Sequence, residues 1–314
     1  MDLREKRKQC NKICVTKQRG NGEKMEFNLN ENPLAKVIAP EKIDYGKEGL
    51  VCLEDIVYAS NDREACRMDM VYPAGQQEKL PVVIWVHGGG WSDENLTRKY
   101  LPSRELAELS KRGYVTVSVD YRLTGKAPFP AQIEDCKSAV RFLRSHGQDY
   151  PVDVNRIGVW GESAGGHLAQ LMAYSSDREF DNGTNSGVSS VVQGVVAWYA
   201  PCDLRTNKEW PEDEEIYNRL FPEKDARKQA ELRKAASPVC YTDRKNPPSL
   251  LMHGDVDRLV DYENSRLMCE RLKEAGNDVE LVTVPGQGHG FFEGEAYYGR
   301  IYAFFDRILK GSLS

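Results

Sequence analysis

Serine, histidine and aspartate are the residues from which a chain can build a nucleophile without a metal. In this sequence of 314 residues one serine stands out. Ser163 sits in Gly161-Glu162-Ser163-Ala164-Gly165-Gly166, after the apolar run Ile157 to Trp160 and before Leu168-Ala169-Gln170-Leu171. An apolar strand, a Gly-x-Ser-x-Gly turn and a helix together present a serine hydroxyl at the top of an α/β sheet. The glycines at 161 and 165 fit a turn too tight for a neighbouring Cβ. A hydroxyl is a weak nucleophile, so it needs a base, and the base needs an orienting acid. On such a turn the acid and then the base follow in chain order.

There are five histidines to weigh as the base. His87 opens a glycine loop ahead of the serine. His146 lies in a polar helix end and is expected to be solvated. His167 is four residues past Ser163 on the same helix, which carries it away from the hydroxyl. His253 ends a strand and is expected to be a buried, hydrogen-bonded turn residue. His289, in Pro285-Gly286-Gln287-Gly288-His289-Gly290, follows the last expected strand. Ligands gather at loops on the C-terminal edge of such a sheet, so His289 is the candidate base. The candidate acids are Asp255 and Asp257, on the loop after His253-Gly254. Asp257 has one more step of reach and an apolar pair behind it, and is favoured. Asp255 is expected to bond backbone in the turn. Glu162 is not assigned the acid role, because the elbow turns neighbouring side chains apart.

Acyl transfer also needs donors for an oxyanion. The amide of Ala164 is one, and the loop Gly88-Gly89-Gly90 supplies others. No G-x-G-x-x-G or G-x-x-x-x-G-K-[ST] pattern argues for phosphate instead. Trp91, Trp198, Tyr199, Leu259 and Phe291 are candidates for lining an acyl or aryl pocket, with ordinary core packing as the alternative.

The elements that must hold these residues alternate. Strands are expected over 50–59, 66–72, 82–86, 115–119, the central segment before Ser163, 191–199, 249–253 and 279–284. Helices are expected over 98–111, through Ile133, Cys136, Val140 and Leu143, and over 163–173, 263–275 and 297–309. That order points to a mostly parallel sheet of eight strands with helices on both faces. Residues 1–45 read as a polar, basic tail and approach segment, and 46–314 as one catalytic domain. Within it the charged stretch 203–236, helical around 226–236, is a small insert placed to act as a partial cap.

Net charge is −5, which gives no basic surface for nucleic acid. No apolar run is long enough to span a membrane. Met1 to Lys24 lacks the apolar core of a signal peptide, so a cytoplasmic protein is expected. A chain from which a leader had been removed would read the same. The eight cysteines are expected to be reduced and mostly buried. Cys10 and Cys14 have no partner pair to complete a zinc site, so no metal is expected.

Taken in order, these motifs resemble the α/β-hydrolase superfamily. His87-Gly88-Gly89-Gly90-Trp91 and the elbow resemble its hormone-sensitive-lipase-like esterases. Val119-Asp120-Tyr121-Arg122-Leu123, Ala127-Pro128-Phe129-Pro130-Ala131, Trp198-Tyr199-Ala200-Pro201 and Ala236-Ser237-Pro238-Val239 are closer to bacterial bifunctional deacetylase/feruloyl esterases. His253-Gly254-Asp255-Val256-Asp257 and the loop at His289 complete the match, over roughly residues 50–310. The resemblance implies Ser163 as nucleophile, His289 as base and then acid, and Asp257 as its partner. It implies Gly89, Gly90 and Ala164, with Gly88 beside them, as oxyanion donors. It also implies no cofactor, and a small-molecule or oligosaccharide ester as substrate, acetyl or feruloyl groups on plant-derived carbohydrate among them. An arylformamidase shares a similar glycine loop and triad and is the alternative enzyme. A non-catalytic ligand receptor on this fold is the alternative outside catalysis, though such proteins usually lose a triad member.

Overall fold

The computed structural model describes residues 43–60, 65–99, 103–182, 184–205, 215–290 and 295–311, together with two short strands nearer the N-terminus. The chain divides into two compact units, Met1–Pro40 and Glu41–Ser314. In the first, Lys17–Gln18 pairs antiparallel with Lys24–Met25. The rest of the expected tail, with Cys10 and Cys14, lies outside the described residues.

The second unit is an α/β-hydrolase fold. Its strands are β1 (Leu50–Ser60), β2 (Ala65–Pro73), β3 (Leu80–Val86), β4 (Val115–Val119), β5 (Val152–Glu162), β6 (Gly194–Trp198), β7 (Ser249–Gly254) and β8 (Val279–Val284). They form one sheet in the order β8-β7-β6-β5-β3-β4-β2-β1. Pairing is antiparallel at β1–β2 and β2–β4 and parallel everywhere else. The helices are α1 (Ser103–Lys111), α2 (Ala131–Ser145), α3 (Ser163–Tyr174), α4 (Glu215–Leu220), α5 (Ala226–Ala235), α6 (Glu263–Glu274) and α7 (Glu295–Phe305).

Successive side chains on a strand point to opposite faces, so a strand covered on both sides must be apolar throughout. In β3, Val82, Ile84 and Val86 face one core, with Ile133 and Val140 of α2, Leu168 and Leu171 of α3, and Met268 and Leu272 of α6. Val83 and Trp85 face the other, with Leu106 and Leu109 of α1 and Ile301, Phe304 and Phe305 of α7.

Three boundaries differ from expectation by three residues or more. The last helix, expected to 309, ends as an α-helix at Phe305 and continues as a π-helix over Asp306–Lys310. β6 begins at Gly194 rather than Val191. Val191 is exposed, its carbonyl accepts from Arg144, and the Gln193 side chain accepts the Ile157 amide. Helix α1 begins at Ser103 rather than 98. Arg98, nearly buried, pairs instead with Asp55, Asp69 and Asp120, anchoring the segment after the glycine loop to β1, β2 and the end of β4. The cysteines at 52, 66, 136, 202, 240 and 269 are free, and four of them are buried. Among the described residues no helix is long and apolar enough to cross a membrane.

Candidate active site

Strand β5 ends at Glu162 and helix α3 starts at Ser163, with no residue between them. The turn forces Ser163 to φ +48°, a left-handed conformation that L-residues rarely adopt. It also presses α3 against the neighbouring strand. A Cβ on Gly165 would overlap the carbonyl oxygens of Val86 and His87, and one on Gly161 would overlap the carbonyl of Gly165. Glycine is therefore required at both positions for the reason the sequence suggests.

The structure brings the three chemistry-bearing residues into one line. His289 Nε2 is 3.0 Å from Ser163 Oγ, and His289 Nδ1 is 2.7 Å from Asp257 Oδ2. Asp257 sits on the loop after β7. Its other oxygen accepts the amides of Leu259 and Val260 at 2.8 and 3.0 Å. His253 Nε2 also lies 3.3 Å from Asp257 Oδ2. Burial raises the Asp257 pKa, but hydrogen bonds from His253, His289 and the Leu259 amide outweigh it and hold the carboxyl well below the usual range. Asp257 is therefore a carboxylate at any working pH, and its negative charge faces Nδ1–H of His289. Asp255 accepts the Gly286 amide at 2.6 Å, the backbone role expected of it.

The other histidines have separate partners. His87 is buried, stacked on Tyr121 at 4.4 Å, and donates from Nδ1 to the Gly88 carbonyl. His146 stacks on Phe142 at 4.2 Å and is only partly exposed. His253 contacts Ser265 Oγ at 2.8 Å through Nδ1 and the Val260 carbonyl at 3.0 Å through Nε2. It matches the expected buried turn residue, yet it also steadies Asp257, which periodicity gave no sign of. His167 is buried between Trp91 and Ala236.

The glycine loop after β3 is left-handed at Gly89 (φ +94°), Gly90 (φ +55°) and Trp91 (φ +58°). Gly88 lies against Glu162, where a Cβ would meet the Glu162 side chain at 3.2 Å, and its amide is among the groups that lower the Glu162 pKa. Glu162 is buried, and its Oε2 accepts from Tyr199 OH at 2.6 Å. Burial raises its pKa to about 7, against the lowering by these two donors. The Tyr199 ring meets the His289 ring edge-on at 4.5 Å.

The pocket candidates separate. Trp198 is fully buried in an aromatic cluster with Trp85 and Trp160, on the face covered by α1 and α7, and its indole N–H reaches Met252 Sδ. It packs the core and does not line a pocket. Trp91 is buried as well, bonded to His167. Tyr199 stands against the base, and Leu259 is 40% exposed on the acid loop. Phe291 lies outside the described residues. From the insert, Ile216 of α4 packs on the glycine loop so closely that a Cβ on Gly90 would overlap its Cδ1.

Residues 68–272 match the family model described as BD-FAE. Among curated proteins, the chain is 31% identical over 215 residues to "Esterase LipC" of Mycobacterium tuberculosis, covering 67% of this chain and 53% of that protein. The chain spans about half the length of the curated relatives it matches. Among solved structures it is similar to a truncated carbohydrate esterase from gut microbiota, with a TM-score of 0.74 and 28% identity, covering 83% of this chain and 96% of that one. It is also similar to the butyrate-bound thermophilic esterase Est2 of Thermogutta terrifontis, with a TM-score of 0.65 and 26% identity, covering 82% and 93%.

Proposed function

The chain belongs to the BD-FAE family of bifunctional deacetylase/feruloyl esterase-type α/β-hydrolases, and from that premise we propose that it is a serine carboxylic ester hydrolase working through an acyl-enzyme. The observation that carries this is the unbroken contact from Ser163 Oγ through His289 to Asp257, at 3.0 and 2.7 Å. Ser163 Oγ attacks the ester carbonyl carbon while His289 Nε2 takes its proton. Asp257 holds the resulting imidazolium from the Nδ1 side. The carbonyl oxygen, now negative, is met by the amides of Gly89, Gly90 and Ala164. As the intermediate collapses, the carbon–oxygen bond to the alcohol breaks and His289 returns the proton to the leaving oxygen. Water then repeats the cycle on the acyl-serine, releasing the carboxylic acid and restoring Ser163.

For substrate we propose short acyl or aryl esters, acetyl or feruloyl groups on plant-derived carbohydrate foremost. Support comes from the family and from the likeness to a gut carbohydrate esterase. We read residues 203–236 as a partial cap, supported by Ile216 resting on Gly90. The test is a panel of acetyl-xylooligosaccharide, methyl ferulate, p-nitrophenyl esters of rising chain length and N-formylkynurenine. Turnover of the esters, lost in Ser163→Ala, is expected. An active Ser163→Ala protein would overturn the mechanism. Preference for the formamide would replace the ester substrate by the arylformamidase alternative.

A further inference from the structure

His167 is fully buried on α3, one helical turn past Ser163, and takes no part in the proton relay. Both ring nitrogens are nevertheless in use. Trp91 Nε1 lies 3.2 Å from His167 Nδ1, and His167 Nε2 lies 2.7 Å from the Ala236 carbonyl. An indole N–H can only donate, so Nδ1 must accept, and the single ring proton sits on Nε2, where it donates to Ala236. The tautomer follows from the partners. Burial pushes the imidazole down to about 4, so it stays neutral in neutral solution and keeps this pattern.

The two partners belong to parts of the site that the sequence separates widely. Trp91 directly follows Gly90 and closes the run of three left-handed residues that shapes the glycine loop. A tryptophan in that conformation is strained and persists only where its surroundings hold it. Here it is held at two points, its indole N–H on His167 and its carbonyl on the Thr124 amide at 2.8 Å. The Trp91 and His167 rings also meet edge-on at 5.1 Å. Ala236 caps α5, where the 203–236 insert returns to the body of the fold, and Ile216 near the start of α4 rests on Gly90. One imidazole thus joins the helix carrying the nucleophile to the loop offering oxyanion donors and to the exit of the insert above it.

We propose that His167 is a positioning residue for the oxyanion hole, fixing the Gly89–Trp91 loop and the end of the 203–236 insert against helix α3. It touches no reacting atom. The proposal rests on the esterase assignment above and adds to it a residue on which transition-state geometry depends. Losing an oxyanion donor outright costs about 100- to 1,000-fold, and a misplacement of about 1 Å can cost about a hundredfold. Slack in the loop that presents those donors should therefore lower kcat much more than it raises KM.

The test compares His167→Leu, His167→Gln and Trp91→Phe in the full chain, with p-nitrophenyl acetate as substrate and an aryl trifluoromethyl ketone as the oxyanion mimic. Glutamine can accept from Trp91 through Oε1 and donate to Ala236 through Nε2, whereas leucine can do neither. His167→Leu and Trp91→Phe should lower kcat by about 10- to 100-fold with KM within about threefold, and weaken ketone binding by a similar factor. His167→Gln should recover kcat to within about fivefold of the wild type. Wild-type ketone affinity in a folded His167→Leu protein would overturn the proposal, as would a Gln variant no better than Leu. If His167→Leu does not fold, Trp91→Phe decides, and unchanged ketone affinity there overturns it. Labelling of Ser163 by a fluorophosphonate separates the two levels. A folded wild type that is not labelled removes the esterase assignment itself. A labelled one with indifferent His167 variants removes only the role of His167.

Discussion

Two buried carboxyl groups stand beside Ser163, one joined to it through His289 and the other through a peptide bond. Asp257 receives two backbone amides, the Nδ1–H of His289 and a contact from His253. Glu162 receives one backbone amide and one tyrosine hydroxyl. Both lose hydration by burial, which favours the neutral acid. At Asp257 the donors win and the group stays ionised. At Glu162 burial wins and the pKa climbs to about 7. The difference teaches that the number and kind of donors sets the charge on a buried carboxyl. It also separates two jobs, since a fixed negative charge suits the partner of an imidazolium while a neutral acid suits a bracing contact between loops.

The largest test of this contrast replaces each carboxyl by its amide. Asp257→Asn removes the charge that stabilises the imidazolium and turns an N–H toward Nδ1, favouring the wrong tautomer. It should lower kcat by roughly ten-thousandfold. Glu162→Gln should cost about tenfold or less at pH 8, because it changes a brace and leaves the relay whole. Both are read as kcat on p-nitrophenyl acetate. Comparable losses would erase the distinction.

This contrast was only half legible in the sequence. Strand and helix periodicity, the order of Ser163, Asp257 and His289 along the chain, and the loops that carry them can be read from local pattern. Such pattern says nothing about which distant group meets a buried polar atom. Tyr199 reaches Glu162 from the neighbouring strand end, and His253 reaches Asp257 across a turn. The same holds for Trp198. Its place beside a site motif suggests a pocket residue, while strand alternation sends it to the opposite face, against Trp85 and Trp160. Trp198 shares its face with Val196 of the same strand, and because every residue of that strand is buried, alternation alone does not mark which face meets the site. The resting place of Ile216 on Gly90 has no sequence signal, because the insert holding it has no regular period.

A middle-sized effect follows from the raised pKa of Glu162. Its folded value, about 7, lies above its ordinary value of 4.5, so the folded protein holds this proton more tightly than the unfolded chain does. The resulting stability is fully present below about pH 4.5 and is lost as pH rises through about 7, a change on the order of 3 kcal/mol. Urea unfolding between pH 5 and 8 should show the wild type losing stability relative to Glu162→Gln, which has no such proton to release. Parallel stability profiles would mean that Glu162 is ionised throughout, like Asp257.

The smallest effect isolates the tyrosine donor. Tyr199→Phe keeps the ring against His289 and removes only the hydroxyl that lowers the Glu162 pKa. With one donor fewer, burial dominates further, and Glu162 should hold its proton to a higher pH. Stability should then go on falling above pH 7, where the wild type has nearly levelled off. The change in kcat at neutral pH should stay within about fivefold, since neither the relay nor the oxyanion amides are touched. The informative comparison is the pH at which each stability curve flattens, measured by urea unfolding from pH 6 to 9. If the curves flatten together, the hydroxyl does not set the charge of Glu162, and burial with the Gly88 amide alone must account for it. If the mutant curve flattens later, two donors are too few to ionise this carboxyl at neutral pH, and the richer donor set at Asp257 is what keeps the partner of His289 charged.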